Sequence, residues 1–280
     1  MSFPSDDPLI QAPAAKPTDP LVEEGVSSPV RVGTAAPVDP VWNGWDVLRL
    51  TFLTIMALVF FVPAVALIAR LWLYPHMGLG EVLRFPLVAI SGQALAYLLI
   101  LAYMYVLVTR ERGRPDFLPA IHWNWPSNIA VYALAGFVLS LALQGVAHLL
   151  PIPKDLPIDS FLRTPAEAWA LGILSVTLAP LMEELFFRGF LYPVLARSLG
   201  LPVAVFLTAL SFAMLHLLQL GFAWGPVLVI FLVGLVLTVV RAKTNSVAAG
   251  VLVHMAYNGT ITVAMFAATD GFRHLEKLNQ

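Results

Sequence analysis

Seven apolar stretches, each long enough to cross a lipid bilayer as a helix, follow one another after residue 42. Only 12% of the residues are charged, whereas soluble domains carry about 25% charged residues. In lipid every backbone N–H and C=O must be satisfied internally, so stretches of this length predict an all-α, polytopic transmembrane bundle of about seven to eight spans. We place the spans at residues 48–74, 85–108, 129–150, 167–187, 201–220, 226–240 and 247–268.

The first 42 residues differ from the rest in composition. They hold eight of the 22 prolines, carry mixed charge and show no helical or strand period. Such a segment cannot bury enough apolar surface to fold, so we predict a disordered N-terminal tail at 1–42. The remainder divides into N-terminal transmembrane helices (43–155), a transmembrane core that carries the polar motifs (156–270) and a C-terminal tail (271–280).

Basic residues near the span ends predict which end of the bundle faces the cytoplasm. Arg110, Arg112 and Arg114 follow the second span, and Arg241 and Lys243 follow the sixth. Both clusters lie on the cytoplasmic side, as the positive-inside rule requires, if the N-terminus is cytoplasmic. We therefore predict a multi-pass protein of a prokaryotic plasma membrane with its N-terminus in the cytoplasm.

Charged side chains interrupt the apolar run of the fourth span. Each of Glu183, Glu184 and Arg188 would cost about 2.5–3.5 kcal/mol at the centre of a spanning helix. Glu184 and Arg188 are four residues apart on one helix face, which predicts an ion pair. Glu183 points about 100° away from Glu184 and has no local cation, so it is the candidate for chemistry. Pro180 predicts a kink that opens this acidic turn towards a wet cavity.

Two further spans carry polar side chains at helical spacing. His216 follows Phe212 by four residues in the fifth span, and Asn258 follows His254 by four residues in the seventh. Peptide hydrolysis needs a base that takes a proton from water and donors that stabilise the oxyanion. Taken singly, each group also has a structural interpretation, because a membrane histidine often serves only as an interhelical hydrogen-bond partner.

Three short motifs thus stand in order on the fourth, fifth and seventh spans: Glu183-Glu184-x-x-x-Arg188, Phe212-x-x-x-His216 and His254-x-x-x-Asn258. This set resembles the CPBP family, the CAAX-processing and bacteriocin-processing intramembrane endopeptidases, also called the Abi family. The resemblance covers about residues 165–268. It implies an intramembrane endopeptidase that cleaves peptide bonds near the membrane face, including CAAX-type C-terminal processing, and a supporting role for the ion pair of the first motif.

The resemblance also implies roles for single residues. Glu183 acts as the general base, and His216 is its partner in binding the water. His254 and Asn258 form the oxyanion hole. The expected partners are membrane lipid and a membrane-associated or lipidated peptide or protein substrate, with no nucleic acid.

The resemblance leaves the metal open, because members of the family are often named metalloproteases. Glu183, His216 and His254 are the residues that would bind zinc in a metal-dependent enzyme. However, the sequence contains no His-Glu-x-x-His motif of the kind that places two imidazoles on one helix face. If His254 and Asn258 serve the oxyanion, too few ligands remain, so we favour glutamate catalysis without a cofactor, with zinc as the alternative.

Functions without proteolysis are alternatives from other classes. One is a non-proteolytic immunity or scaffold relative, which would survive loss of Glu183. Another is a small proton-coupled transporter with Glu183 and His216 in a proton path. Transporters usually contain two related halves, and the sequence shows no such internal symmetry.

Depth in the membrane conflicts with the catalytic interpretation. Counting about 1.5 Å per residue, Glu183 falls near the cytoplasmic end of its span and His216 near the opposite end of the next. They meet only if residues 189–199 re-enter the membrane or if the span boundaries differ by several residues. We expect Glu183, His216, His254 and Asn258 to line one cavity that opens to the cytoplasmic side.

Overall fold

The chain folds as helices joined by turns. The computed structural model describes residues 40–279, and this part of the chain contains no strand. It confirms the predicted all-α transmembrane bundle, with six helices that are long and apolar enough to cross a membrane and one shorter apolar helix. In chain order the helices are α1 (Gly44–Trp72), α2 (Pro86–Glu111), α3 (Ile129–Ala147), α4 (Pro165–Leu199), α5 (Leu201–Leu215), α6 (Trp224–Thr244) and α7 (Val247–Ala268).

The connections between these helices differ in length, from Gly200 alone between α4 and α5 to residues 112–128 between α2 and α3. They contain the short helices Leu79–Val82, Phe117–Ala120 and Pro157–Phe161, and Leu275–Asn279 follows α7. The predicted tail at 1–42 lies outside the described residues except for its last three.

Helix pairs form the body of the bundle: α1 packs along α2, α3 along α7, and α5 along α6, while α4 contacts α2, α5 and α7. A capping box begins α1, because Asn43 and Asp46 each accept a hydrogen bond from the other's backbone N–H. Asp46 is fully buried, and Arg112 at the end of α2 lies 2.5 Å from its carboxylate. Small residues allow the closest contacts, since a Cβ on Gly136 of α3 would lie 2.2 Å from the carbonyl oxygen of Val253 on α7.

Helix α4 is longer than the sequence predicted. We placed its end at residue 187, but the helix continues to Leu199, so residues 189–199 are helical and do not form a re-entrant loop. The apolar pattern is interrupted here by Arg188, Gly189, Pro193 and Arg197, and we therefore placed the end of the helix too early. Arg188 does not end the helix because its side chain is fully buried among partners inside the protein.

The longer α4 removes the depth conflict between Glu183 and His216. The chain turns between α4 and α5 at Gly200, which has a φ of +80°. At 1.5 Å per residue, Glu183 lies about 25 Å before this turn and His216 about 24 Å after it. The two side chains therefore lie at nearly the same level of the bundle.

Irregular backbone divides α4 on both sides of its acidic residues. The α-helix is interrupted at Thr177, whose ψ is −83°, three residues before Pro180. Proline cannot donate to the carbonyl four residues earlier, which weakens the helix at this turn. A π-helical segment, Leu185–Leu191, begins directly after Glu184. Such segments are frequent at functional sites.

Residues 40–42 are packed against α4. Trp42 is 1% exposed, and its ring centroid lies 4.7 Å from that of Phe190. Its indole N–H donates to the Phe190 carbonyl at 3.1 Å, within the π-helical segment. The Arg197 guanidinium donates to the carbonyls of Pro40 and Trp42 at 2.6 and 3.1 Å. The packed part of the chain thus includes residues that we had grouped with the tail.

Candidate active site

A cavity of about 500 Å³ lies between α4, α5 and α7 and reaches α2. Four polar residues that the motifs singled out line it: Glu183, His216, His254 and Asn258. The structure therefore brings these side chains together from α4, from α7 and from His216, the residue directly after the end of α5. Their individual roles stay predictions.

Glu184 and Arg188 form the predicted ion pair, and both side chains are fully buried. Arg188 Nη1 lies 2.8 Å from Glu184 Oε1. The guanidinium also donates to the carbonyl of Gly234 at 2.9 Å and to the hydroxyl of Thr238 at 3.2 Å, both on α6. A buried charge without partners is strongly destabilising, so this pairing explains how α4 carries a cation inside the bundle.

Glu184 also binds His254, a contact that the sequence did not reveal. His254 Nδ1 lies 3.0 Å from Glu184 Oε1, and its Nε2 lies 3.8 Å from Glu183 Oε2. Because an ionised carboxylate only accepts hydrogen bonds, Nδ1 carries the proton and Nε2 is turned towards Glu183. The ion pair thus fixes the ring of His254, and the ring connects the two acidic residues.

His216 and Asn258 are each held by a backbone carbonyl. His216 Nδ1 lies 2.9 Å from the Phe212 carbonyl oxygen, which only accepts, so Nδ1 donates and Nε2 is left for the cavity. Asn258 Nδ2 donates to the Ser175 carbonyl at 2.7 Å, two residues before the interruption at Thr177. An amide nitrogen carries two hydrogens, so Asn258 keeps one for a second partner.

Glu183 differs from Glu184 in its surroundings. The side chain of Glu183 is 14% exposed, whereas that of Glu184 is fully buried. Within residues 40–279, the approach of His254 at 3.8 Å is the ionic contact recorded for Glu183. Glu183 is therefore the acidic group that is available to a molecule in the cavity.

The cavity extends from Glu183 to one end of the bundle. It reaches the α3–α4 connection, the α5–α6 connection and the turn after α7, where its lining includes Ile158, Phe161, Leu218, Gln219 and Phe272. Leu218 is 75% exposed, so the cavity meets the surface there. The clusters at Arg110–Arg114 and Arg241–Lys243 lie at the opposite end. The predicted cytoplasmic opening of the cavity and the predicted cytoplasmic position of the two basic clusters therefore cannot both be correct.

The three residues named for a metal-dependent enzyme do not form a metal-binding group. Across residues 40–279, no three His, Cys, Asp or Glu side chains converge in an arrangement that holds a metal ion. Glu183 and His254 lie close together, and the Nδ1 atoms of His254 and His216 are bound to Glu184 and to the Phe212 carbonyl, which leaves the Nε2 atom of each ring for a further partner. The choice between catalysis without a cofactor and catalysis with zinc stays a prediction.

A family model described as Rce1-like type II CAAX prenyl endopeptidase matches residues 165–260. The matched segment covers α4, α5, α6 and part of α7, and it contains all three motifs. The match confirms the predicted resemblance to the CAAX-processing endopeptidases of the CPBP family. A search of curated proteins and a search of solved structures each found no match to this chain. Because the matched family consists of endopeptidases, it indicates a protease.

Gly250 provides a test of the contact between α7 and the ion pair. A Cβ at Gly250 would lie 2.7 Å from Glu184 Oε2, and the other carboxylate oxygen is held by Arg188 and His254. We expect Gly250→Ala to lower the free energy of unfolding by about 1–3 kcal/mol, the usual cost of overpacking. Thermal unfolding of the purified protein in detergent measures this. Gly259→Ala on the same helix is the control, because its nearest neighbour would be 3.7 Å away. Equal melting temperatures for the two variants would contradict the close contact.

Proposed function

We propose that this multi-pass membrane protein, whose residues 165–260 match the type II CAAX prenyl endopeptidase family, is an intramembrane endopeptidase that activates water with Glu183. The observation that supports it best is the meeting of Glu183, His216, His254 and Asn258 in one cavity. Ionisable residues within a membrane are costly and mark functional sites. Glu184 is paired with Arg188, whereas Glu183 faces the cavity. Glu183 is therefore the acidic residue that is placed to react with a bound water molecule.

Glu183 takes a proton from a water molecule as the water oxygen attacks the carbonyl carbon of the substrate. His216 lies in the same cavity with Nε2 as an acceptor, so it binds the second hydrogen of that water and orients the lone pair towards the substrate. The carbonyl π bond opens, and the tetrahedral intermediate carries its negative charge on the former carbonyl oxygen.

Asn258 and His254 stabilise that oxyanion. The amide of Asn258 is held by the Ser175 carbonyl and donates with its remaining N–H. His254 Nε2 donates when the ring is doubly protonated, since Nδ1 is committed to Glu184. When the intermediate collapses, the C–N bond breaks and the proton on Glu183 passes to the leaving amine. The products are a carboxylic acid and an amine, and transfer of the acid proton to the amine gives a carboxylate and an ammonium group.

The apolar walls of the cavity and the family match support a proposal for the substrate class. Away from its polar residues the cavity is lined by side chains such as Leu171, Leu174, Ile261 and Met265. A membrane-associated peptide with an apolar or lipidated segment matches such a lining. We propose C-terminal processing of CAAX-type peptides as the first substrate class to test.

The first test replaces the proposed base. Glu183→Gln preserves the size of the side chain but cannot accept the proton of water, so we expect cleavage to be abolished with folding intact. The assay is cleavage of a quenched fluorescent farnesylated CAAX peptide by the full chain in proteoliposomes. A second measurement compares protein termini in membranes that contain wild type or Glu183→Gln.

Glu167→Gln is the matched control, because Glu167 lies on the same helix outside the cavity lining, where its carboxylate accepts from the Thr164 N–H at the start of the helix. Full activity of Glu183→Gln would remove Glu183 as the base. Identical termini in both membranes, with the peptide uncleaved, would favour a scaffold or a transporter.

A second test separates oxyanion donors from metal ligands. Replacing His254 or Asn258 with alanine should lower kcat by about 10²–10³, the usual cost of one oxyanion donor, with metal content unchanged. Elemental analysis of the purified variants measures bound metal. Stoichiometric zinc in the wild type, lost in His216→Ala or His254→Ala, would overturn the metal-free mechanism and leave the protease assignment standing.

A third test concerns orientation in the membrane. Seven basic residues of the described chain lie near the end of the bundle where α1 begins: Arg49, Arg110, Arg112, Arg114, Arg197, Arg241 and Lys243. Six lie near the opposite end: Arg70, Arg84, Lys154, Arg163, Arg273 and Lys277. The basic bias is therefore small, but it favours a cytoplasmic N-terminus. With that orientation the cavity opens at the outer face.

The chain has no cysteine, so single introduced cysteines report orientation cleanly. Ser127 and Ile152 lie at opposite ends of α3 and are both exposed. We expect an impermeant maleimide to label Ile152→Cys in intact cells and Ser127→Cys only after permeabilisation. The reverse pattern would place the cavity mouth in the cytoplasm.

A further inference from the structure

Gln93 and Tyr97 form a polar pair on the otherwise apolar helix α2. They are four residues apart, and Gln93 Nε2 donates to the Tyr97 hydroxyl oxygen at 2.8 Å. Gln93 lines the same cavity as Glu183 and His254. The three motifs lie outside α2, and the proposed hydrolysis assigns no role to Gln93 or Tyr97.

The packing of α2 keeps Gln93 turned towards the cavity. Gly92 lies against α1, where a Cβ would come within 2.7 Å of the Val62 backbone. Ile90 and Gln93 are three residues apart and both line the cavity, and Tyr97 continues the same face. Helix α2 cannot turn this face away without opening the Gly92 contact.

The Tyr97 hydroxyl has a hydrogen to donate. Its oxygen accepts from Gln93, and the described residues include no recorded acceptor for its own O–H. Tyr97 packs against the core cluster that contains Met182 and Leu185, the residues on either side of the two acidic residues of α4, and Glu183 is close enough to Tyr97 to interact with it electrostatically. The carboxylate of Glu183 has in turn no direct hydrogen-bond donor among residues 40–279. A donor and an acceptor that lie beside a cavity without touching each other are commonly bridged by a water molecule.

We infer that Tyr97 is a positioning residue that donates through one water molecule to the carboxylate of Glu183, and that Gln93 orients the Tyr97 hydroxyl for this contact. One carboxylate oxygen of Glu183 is then fixed, and the other is directed to the water that attacks the substrate. This inference rests on the proposed function, because it assigns Tyr97 a role through Glu183. It adds α2 to the helices that build the site.

The kinetic test uses Tyr97→Phe, which removes only the hydroxyl. We expect kcat for the farnesylated CAAX peptide to fall about 10-fold or more, as for loss of a hydrogen bond to a charged group. KM and the melting temperature should stay unchanged, because the ring still packs. Tyr105→Phe on the same helix is the control, since Tyr105 is 52% exposed and its ring centroid lies 5.9 Å from that of Phe117. A rise in KM or a fall in melting temperature, with kcat unchanged, would reduce Tyr97 to a packing residue.

An infrared measurement tests the contact without requiring turnover. The carboxylate stretching band that disappears in Glu183→Gln belongs to Glu183. We expect this band to shift in Tyr97→Phe and in Gln93→Met, and to stay in place in Tyr105→Phe. An unshifted band in Tyr97→Phe would overturn the inference. A shifted band in a protein that cleaves no peptide would count against the proposed function and leave the contact established.

Discussion

The buried ion pair of Glu184 and Arg188 is the interaction on which the rest of the bundle depends. Arg188 binds two groups of α6, and Glu184 binds His254 of α7. Removal of one partner would leave an unpaired buried charge, at a cost of about 3–5 kcal/mol. The same atoms also hold His254 beside Glu183, so a change that weakens the pair alters both the stability of the bundle and the geometry of the cavity.

Residues far from the cavity satisfy the irregular backbone of α4. In a membrane, each unsatisfied backbone group costs several kcal/mol. Two carbonyls of the π-helical region accept hydrogen bonds from side chains: that of Phe190 from Trp42, and that of Arg188 from Arg241. The start of α1 and the end of α6 therefore stabilise the turn that follows the acidic residues.

The sequence predicted those features that depend on local spacing. Long apolar stretches predicted the helices, and the four-residue spacing predicted the contact between Glu184 and Arg188. The true end of α4 was missed because Arg188 in an apolar run looks like a helix end when its partners on α6 are unknown. The contact of His254 with Glu184 joins residues far apart in sequence, and a single Gln93 in an apolar helix forms no pattern. The end of the bundle at which the cavity opens depends on how the α3–α4 connection, the α5–α6 connection and the turn after α7 pack. The spacing of apolar residues along the helices carries no information on that packing.

The polar residues of the cavity also bear on how the protein is made. Among the six spans of the described chain, α4 and α7 have the lowest mean hydropathy, 1.6 and 1.4, against 2.7 for α1. Helices of low hydropathy enter the bilayer less readily during synthesis. Helix α4 emerges from the ribosome before α6 and α7, so Arg188 first meets the lipid with Glu184 as its ionic partner. The nascent chain therefore passes through a stage in which α4 is held in place mainly by the apolar helices made before it.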